Sequence, residues 1–121
     1  MKPFVVAIDF DGTIVEHKYP DIGPLKENVI RCIRLLKEMG CYIIITSCRT
    51  NSVLYRSLLQ RANQAHIMQI FLIENNIPFD EVDDGTQGKV VADVYIDDRA
   101  IRFENNWEEI VRIINLLMEG K

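Results

Sequence analysis

The strongest constraint on the fold is an alternation of apolar runs suited to buried strands with segments of helical periodicity. The runs PFVVAID (3–9) and CYIIIT (41–46) are apolar and rich in β-branched residues, as expected of strands covered on both faces. Between them, apolar residues recur at helical spacing from Pro24, a favoured first helical residue, to Gly40, a favoured stop. The first half of the chain therefore predicts a strand, a helix and a strand.

The same alternation continues to the end of the chain. A long helical stretch runs from about Val53 to Asn76, and strands are predicted at FDEVD (79–83) and VADVYIDD (91–98). On the closing helix, NNWEEIVRIINLLMEG, the residues expected to face inward are Trp107, Ile110, Val111, Ile114 and Leu117. The order predicts an α/β fold, a three-layer Rossmann-like open and mainly parallel sheet with helices on both faces.

Length and composition limit the kinds of partner. The 121 residues, 48% hydrophobic and 26% charged, suit a single domain over 1–121. A net charge of -4 gives no basic field for a polyanion, so no nucleic-acid partner is expected. No apolar run approaches the ~18 residues of a membrane span. Three cysteines without zinc-type spacing favour a reducing cytoplasm.

Polar residues follow the three main predicted strands at the points where they end. They are Asp9 and Asp11 after the first, Thr46 and Ser47 after the second, and Asp97 and Asp98 after the last. Each pair alone is more commonly a helix cap or a solvated turn. The carboxyl ends of parallel strands meet at one edge of a sheet, where ligands bind, so their joint occurrence favours a functional site.

Three of these segments resemble motifs of the haloacid dehalogenase (HAD) superfamily. DFDGT (9–13), preceded by VVAI, resembles motif I, IIIT ending at Thr46 resembles motif II, and VYIDD ending at Asp98 resembles motif IV. The resemblance covers nearly the whole chain. Because only TIVEHKYPDIG (13–23) separates motif I from the first predicted helix, the chain is similar to the capless members, and we expect a HAD-like phosphoric monoester hydrolase with an open site.

The resemblance implies a role for each acid. Asp9 would be the nucleophile that forms an aspartyl-phosphate, and Asp11 the acid and base for leaving group and water. The expected cofactor is Mg2+, held by Asp9, the backbone carbonyl of Asp11, and Asp97, with Asp98 bound directly or through water. Such a cation would explain why two carboxylates are delivered to one strand end.

Motifs II and III would bind the transferred phosphate. The hydroxyl of Thr46 and the backbone N–H groups after it would bond the phosphate oxygens. Lys89 best matches the motif III cation, although GKVVADVYIDD leaves room for no helix before motif IV and has Val90 where a similar compact subgroup has proline. The alternative for Lys89 is a solvated surface lysine.

Other residues near the motifs are candidates for substrate binding. Ser47, Arg49 and Arg99 are the expected contacts, since guanidinium groups match phosphate and carboxylate geometry. For each arginine, the alternative is an ion pair with a neighbouring acid that holds a loop. His17 and His66 match no motif and are not expected to be ligands.

The expected substrate is a small phosphate monoester, such as a sugar or metabolite phosphate. Two other interpretations stay open: a phosphoacceptor domain of the receiver type, and a non-catalytic binding protein of HAD fold. The receiver fits less well because no acid ends CYIIIT. The segment IMQIFLI (67–73) is apolar on more than one helical face, so it either packs against a second copy of the chain or lies wholly inside.

Overall fold

The computed structural model describes residues 2–120 and contains one parallel sheet of four strands in the order β3-β2-β1-β4. The strands are β1 (Val5–Asp9), β2 (Tyr42–Thr46), β3 (Glu81–Val82) and β4 (Val94–Ile96). The helices are α1 (Val29–Glu38), α2 (Leu58–Glu74) and α3 (Trp107–Glu119). The predicted α/β class and the open parallel sheet are confirmed.

The core lies on the face of the sheet that carries α1 and α2. Val6 and Ile8 of β1 stand in register with Ile43 and Ile45 of β2, and side chains at alternate positions share a face. These residues form one buried cluster with side chains of the two helices, namely Ile33, Ala65, Met68 and Leu72. This packing fixes the carboxyl ends of β1 and β2 beside each other.

The segment from residue 13 to 23, called the flap below, is fixed at its base and exposed at its tip. The N–H of Glu16 donates to the carbonyl of Pro24 at 2.8 Å, and Lys26 donates to Ile14 at 2.9 Å. This pairing places residues 24–26 in a bridge with the flap, so the first helix begins at Val29 and not at Pro24 as predicted. Helix α2 likewise begins later than predicted, at Leu58, where the Ser57 hydroxyl accepts from the N–H of Gln60.

Helix α3 differs most from the sequence-based expectation. Of the five side chains predicted to face inward, only Ile110 is buried, and the exposed ones are Trp107, Val111, Ile114 and Leu117. All three residues of the edge strand β4 are exposed as well. Periodicity identifies the apolar stripe of a helix but not the surface that covers it, and residues 2–120 leave this stripe largely uncovered.

Residues 83–93, all of which the structure describes, join β3 to β4 without a helix. The chain instead passes through turns at Asp83 and Asp84, whose carboxylates accept from the N–H groups of Gly85 and Thr86. This connection places Lys89 in the lining of a space that it shares with Thr46, Ser47 and Tyr95. Within residues 2–120, no helix has the length and apolar character needed to cross a lipid bilayer.

Candidate active site

The site begins with two neighbouring strand ends. Asp9 and Thr46 are the last residues of β1 and β2 and stand opposite each other in the parallel register. The N–H of Phe10 donates to the carbonyl of Thr46 at 3.0 Å, which continues the pairing past the strands. A cavity of about 330 Å³ opens at this edge, and its lining is Asp9, Asp11, His17, Thr46, Ser47, Cys48, Asn51, Asp83, Asp97 and Arg99.

Three aspartates converge beside this cavity. Asp9, Asp97 and Asp98 each present a carboxylate oxygen, and these oxygens lie within 4.8 Å of one another. Gly12, at φ +92°, allows this approach because a Cβ at that position would overlap the carboxylate of Asp98. The structure therefore brings together the acids of predicted motifs I and IV.

The cluster strongly perturbs Asp9. Its burial, followed by the negative charge of Asp97 and the proximity of Asp98, raises the pKa of Asp9 from 3.8 to about 7. Three carboxylates this close repel one another unless a proton or a cation lies among them. Hard oxygen ligands of this kind suit Mg2+, so the residues present fit the cation that the resemblance implies.

Asp11 is close to Asp9 in sequence but is held in a different environment. Its two carboxylate oxygens accept from Nε and Nη2 of Arg49 at 2.7 and 2.8 Å, a bidentate ion pair. Asp11 is 5% exposed and Arg49 is 1% exposed. Both oxygens of the predicted acid and base are therefore occupied by one buried guanidinium.

The remaining donors of Arg49 bind the flap. Nη1 donates to the carbonyl of Pro20 at 2.9 Å, Nη2 donates to that of Asp21 at 2.7 Å, and the guanidinium stacks 5.0 Å from the ring centroid of Tyr19. Arg49 does not line the cavity, which differs from the substrate contact expected of it. The geometry matches the alternative, an arginine that pairs with an acid to hold a loop.

Arg99 lies in the cavity wall, and it contacts a residue that sequence reasoning set aside. Its Nη2 lies 3.0 Å from Nε2 of His17 in the flap. Because a guanidinium only donates, Nε2 is the acceptor. His17 matches no motif, and the only signal for it in the sequence was its position in a short segment joined directly to DFDGT.

Thr46 and the residues after it form the part of the site suited to an oxyanion. The hydroxyl of Ser47 accepts from the N–H of Arg49 at 3.0 Å, which orients the turn Cys48–Thr50. Within residues 2–120, the backbone N–H groups of Ser47 and Cys48 have no protein acceptor. Burial and the charges of Asp11 and Asp9 raise the pKa of the Cys48 thiol, which disfavours a reactive thiolate.

Lys89 lies next to the cavity but not in its wall. It lines an adjoining space of about 360 Å³ that shares Thr46 and Ser47 with the first. Its Nζ lies 5.3 Å from the ring centroid of Tyr95 in β4, a cation–π contact. Asp83, after β3, lines both spaces and was not predicted, because FDEVD (79–83) was interpreted as a short strand.

Comparison with known proteins supports the fold without adding an activity. No protein-family model and no curated protein matches this sequence. The chain is similar to a solved structure from Bacteroides thetaiotaomicron, described as a conserved protein coded by a locus. The two are 28% identical, with 99% of this chain and 93% of that chain covered and a TM-score of 0.60.

Proposed function

We propose that this protein is a Mg2+-dependent phosphatase of HAD type that hydrolyses a small phosphate monoester through an aspartyl-phosphate. The observation that carries the proposal is the meeting of Asp9, Asp97 and Asp98 beside Thr46 at the carboxyl end of the sheet. The motifs that resemble HAD motifs I, II and IV thus supply one continuous wall. The three cysteines are free, which agrees with a reaction in the cytoplasm.

Asp9 is the nucleophile in this proposal. One carboxylate oxygen attacks phosphorus, and the bond from phosphorus to the leaving oxygen breaks. The hydroxyl of Thr46 and the free N–H groups of Ser47 and Cys48 bond the phosphoryl oxygens as charge moves onto them. Lys89 lines the adjoining space, where its Nζ lies over the ring of Tyr95. To contact the phosphate, as expected, its side chain must turn away from that ring.

The cation would be held by Asp9, Asp97 and the backbone carbonyl of Asp11, with Asp98 bound to it directly or through water. When bound, it would offset the negative charge that a phosphate meets among these acids. Arg99 is the arginine that remains for the substrate, because the donors of Arg49 are committed to Asp11 and the flap. A cavity of about 330 Å³ favours a small monoester.

A screen of metabolite phosphates with and without Mg2+ tests the proposal. The expected result is release of inorganic phosphate over many turnovers, dependent on Mg2+ and lost in Asp9→Asn, whose amide is a far weaker nucleophile of similar volume. Asp84→Asn is the matched control, since Asp84 lies in an exposed turn. Phosphorylation of Asp9 without turnover would indicate a receiver-type domain, and binding without phosphorylation would indicate a binding protein.

A further inference from the structure

The side of α2 that faces away from the core carries no charged residue before the last position of the helix. Of the two charged residues among its 17 positions, Arg61 is buried and Glu74 is the final residue. The exposed side instead carries large apolar side chains, between 41% and 71% exposed, namely Leu58, Leu59, Ile67, Ile70 and Ile73. A helix that is apolar on both its inner and its outer side is typically covered on both. Depletion of charge is also typical of the centre of a protein interface.

The exposed residues of α2 are spaced symmetrically about His66. Exposed residues occur four and seven positions before His66 and four and seven positions after it. Together they form a stripe, called the α2 stripe below, of Leu59, Ala62, His66, Ile70 and Ile73. Steps of three and four residues place side chains on one face of a helix. Because the spacing is the same in both directions, the α2 stripe is complementary to a second copy of itself that runs antiparallel.

We propose that two copies of this chain form a dimer in which their α2 helices pack antiparallel across a two-fold axis at His66. In this arrangement each residue of α2 faces the residue equally far from position 66 in the other copy. Leu59 faces Ile73, so two exposed apolar side chains cover each other. Ala62 faces Ile70, a small side chain opposite a large one, which allows the two helices to approach closely.

Polar and charged residues match in the same register. Asn63 faces Gln69 of the other copy, and each amide has both a donor and an acceptor for the other. Glu74 faces the first turn of the other α2, where the exposed Arg56 lies two residues before the helix. In the described part of the chain, residues 2–120, neither Glu74 nor Arg56 forms an ion pair. The positive end of a helix also favours a carboxylate, so the ends of the two copies are complementary in charge.

The size of the α2 stripe limits the strength of this contact. A helix of 17 residues is about 25 Å long. Its exposed apolar side chains offer on the order of several hundred Å² per copy, a patch large enough to mark an interaction site. That is below the roughly 800 Å² per partner of a standard interface, so we expect a dimer that dissociates on dilution. The α2 stripe lies outside the lining of the cavity beside Asp9, and the dimer therefore does not depend on the proposed function.

Cysteine cross-linking tests the register, because a disulfide joins only residues whose Cα atoms lie within about 7 Å of each other. The background carries Cys32→Ser and Cys48→Ser, which remove the two exposed native thiols. In this background His66→Cys should form a covalent dimer on mild oxidation, since position 66 faces itself. Gln87→Cys, exposed in the connection between β3 and β4, is the matched control and should cross-link at least several-fold more slowly.

A mixture of two further variants in that background distinguishes antiparallel from parallel packing, after circular dichroism has shown that each variant is folded. Leu59→Cys or Ile73→Cys alone should stay uncross-linked, because the two copies of either position lie about 20 Å apart along the helices. Their mixture should form a covalent dimer. Cross-linking of each variant with itself would indicate a parallel pair and overturn the proposal. So would a mixture that forms no dimer, or a His66→Cys that cross-links no faster than Gln87→Cys.

Discussion

Arg49 donates to both carboxylate oxygens of Asp11, at 2.7 and 2.8 Å, in a pair almost completely withdrawn from solvent. The pair links the segment DFDGT (9–13) to the turn after β2. The other donors of Arg49 bond to backbone carbonyls of the flap. Removing one member of the pair would leave an uncompensated buried charge, so we expect it to destabilise the fold.

Arg49→Leu should lower the free energy of unfolding by about 3–5 kcal/mol, because Asp11 would stay buried without its partner. Urea denaturation measures the change. Arg102→Leu is the control, since the Arg102–Glu104 pair is 3.9 Å apart and exposed on both sides, and it should change stability by less than about 1 kcal/mol. Equally small effects of both substitutions on the free energy of unfolding would show that the buried pair does not stabilise the fold.

Asp9 should make the protein less stable as pH rises. Its pKa is about 7 in the folded chain against 3.8, so the folded state binds the proton more tightly. Its contribution to stability is therefore complete below about pH 3.8 and is lost as pH rises through about 7. Without divalent cations, Asp9→Asn should unfold at a higher temperature than the wild type at pH 8, by roughly 4 °C per kcal/mol of relief.

Two further measurements complete that test. The gap in unfolding temperature between the two proteins should shrink as pH falls from 7 toward 3.8, because the Asp9 carboxyl is then neutral in the folded state and becomes increasingly neutral in the unfolded state as well. Millimolar Mg2+ should raise the unfolding temperature of the wild type more than that of Asp9→Asn, because a bound cation stabilises the folded state. A gap that is constant from pH 4 to pH 8 would contradict the raised pKa.

Asp97 should matter more than Asp98 for the cation. Asp97 lines the cavity, whereas Asp98 lies against Gly12. Asp98→Ala should raise the Mg2+ concentration needed for half-maximal activity by roughly 10- to 100-fold, the range typical of groups that support a metal ligand. Asp97→Ala should raise it by more. Titration of activity against Mg2+, paired with a thermal-shift titration, ranks them. The reverse order would exchange the two roles, and no response in the wild type would argue against a cation site.

Copies of the chain should associate through α2. In the segment 67–73, Ile67, Ile70 and Ile73 are exposed while Met68 and Leu72 are buried, so the apolar surface extends past the core. Ile70→Glu should lower the solution mass measured by light scattering, and Gln87→Glu, in the exposed connection between β3 and β4, should not. A wild type that is monomeric at every concentration would rule this association out.

The sequence predicted the elements that depend on local pattern. Buried β-branched runs identified β1 and β2, and their shared edge brought Asp9 beside Thr46 as parallel strands require. The acids of VYIDD were placed correctly because a strand end is a property of the strand itself. The start of α1 was wrong because Pro24 and Leu25 pair with the flap, a contact that periodicity does not record.

The contacts made by long side chains could not be predicted from the sequence. Arg49 had two interpretations of similar weight, since nothing in TSCRT says whether a flexible arginine reaches solvent or a carboxylate 38 residues away. His17 was set aside because it has no motif, and it enters the site only because the flap folds back. The prediction that five side chains of α3 face inward was wrong for a related reason. An apolar stripe in the sequence does not show which surface, if any, covers it.

Arg49 holds the flap by the carbonyl oxygens of Pro20 and Asp21, atoms that every amino acid supplies. The backbone path of the flap tip therefore does not depend on which side chains its exposed positions carry. New residues at 17 and 18 would change the side chains in and beside the cavity wall without moving the backbone that carries them. A family built on this plan could acquire new substrates by point substitution in a few exposed positions, with no inserted domain.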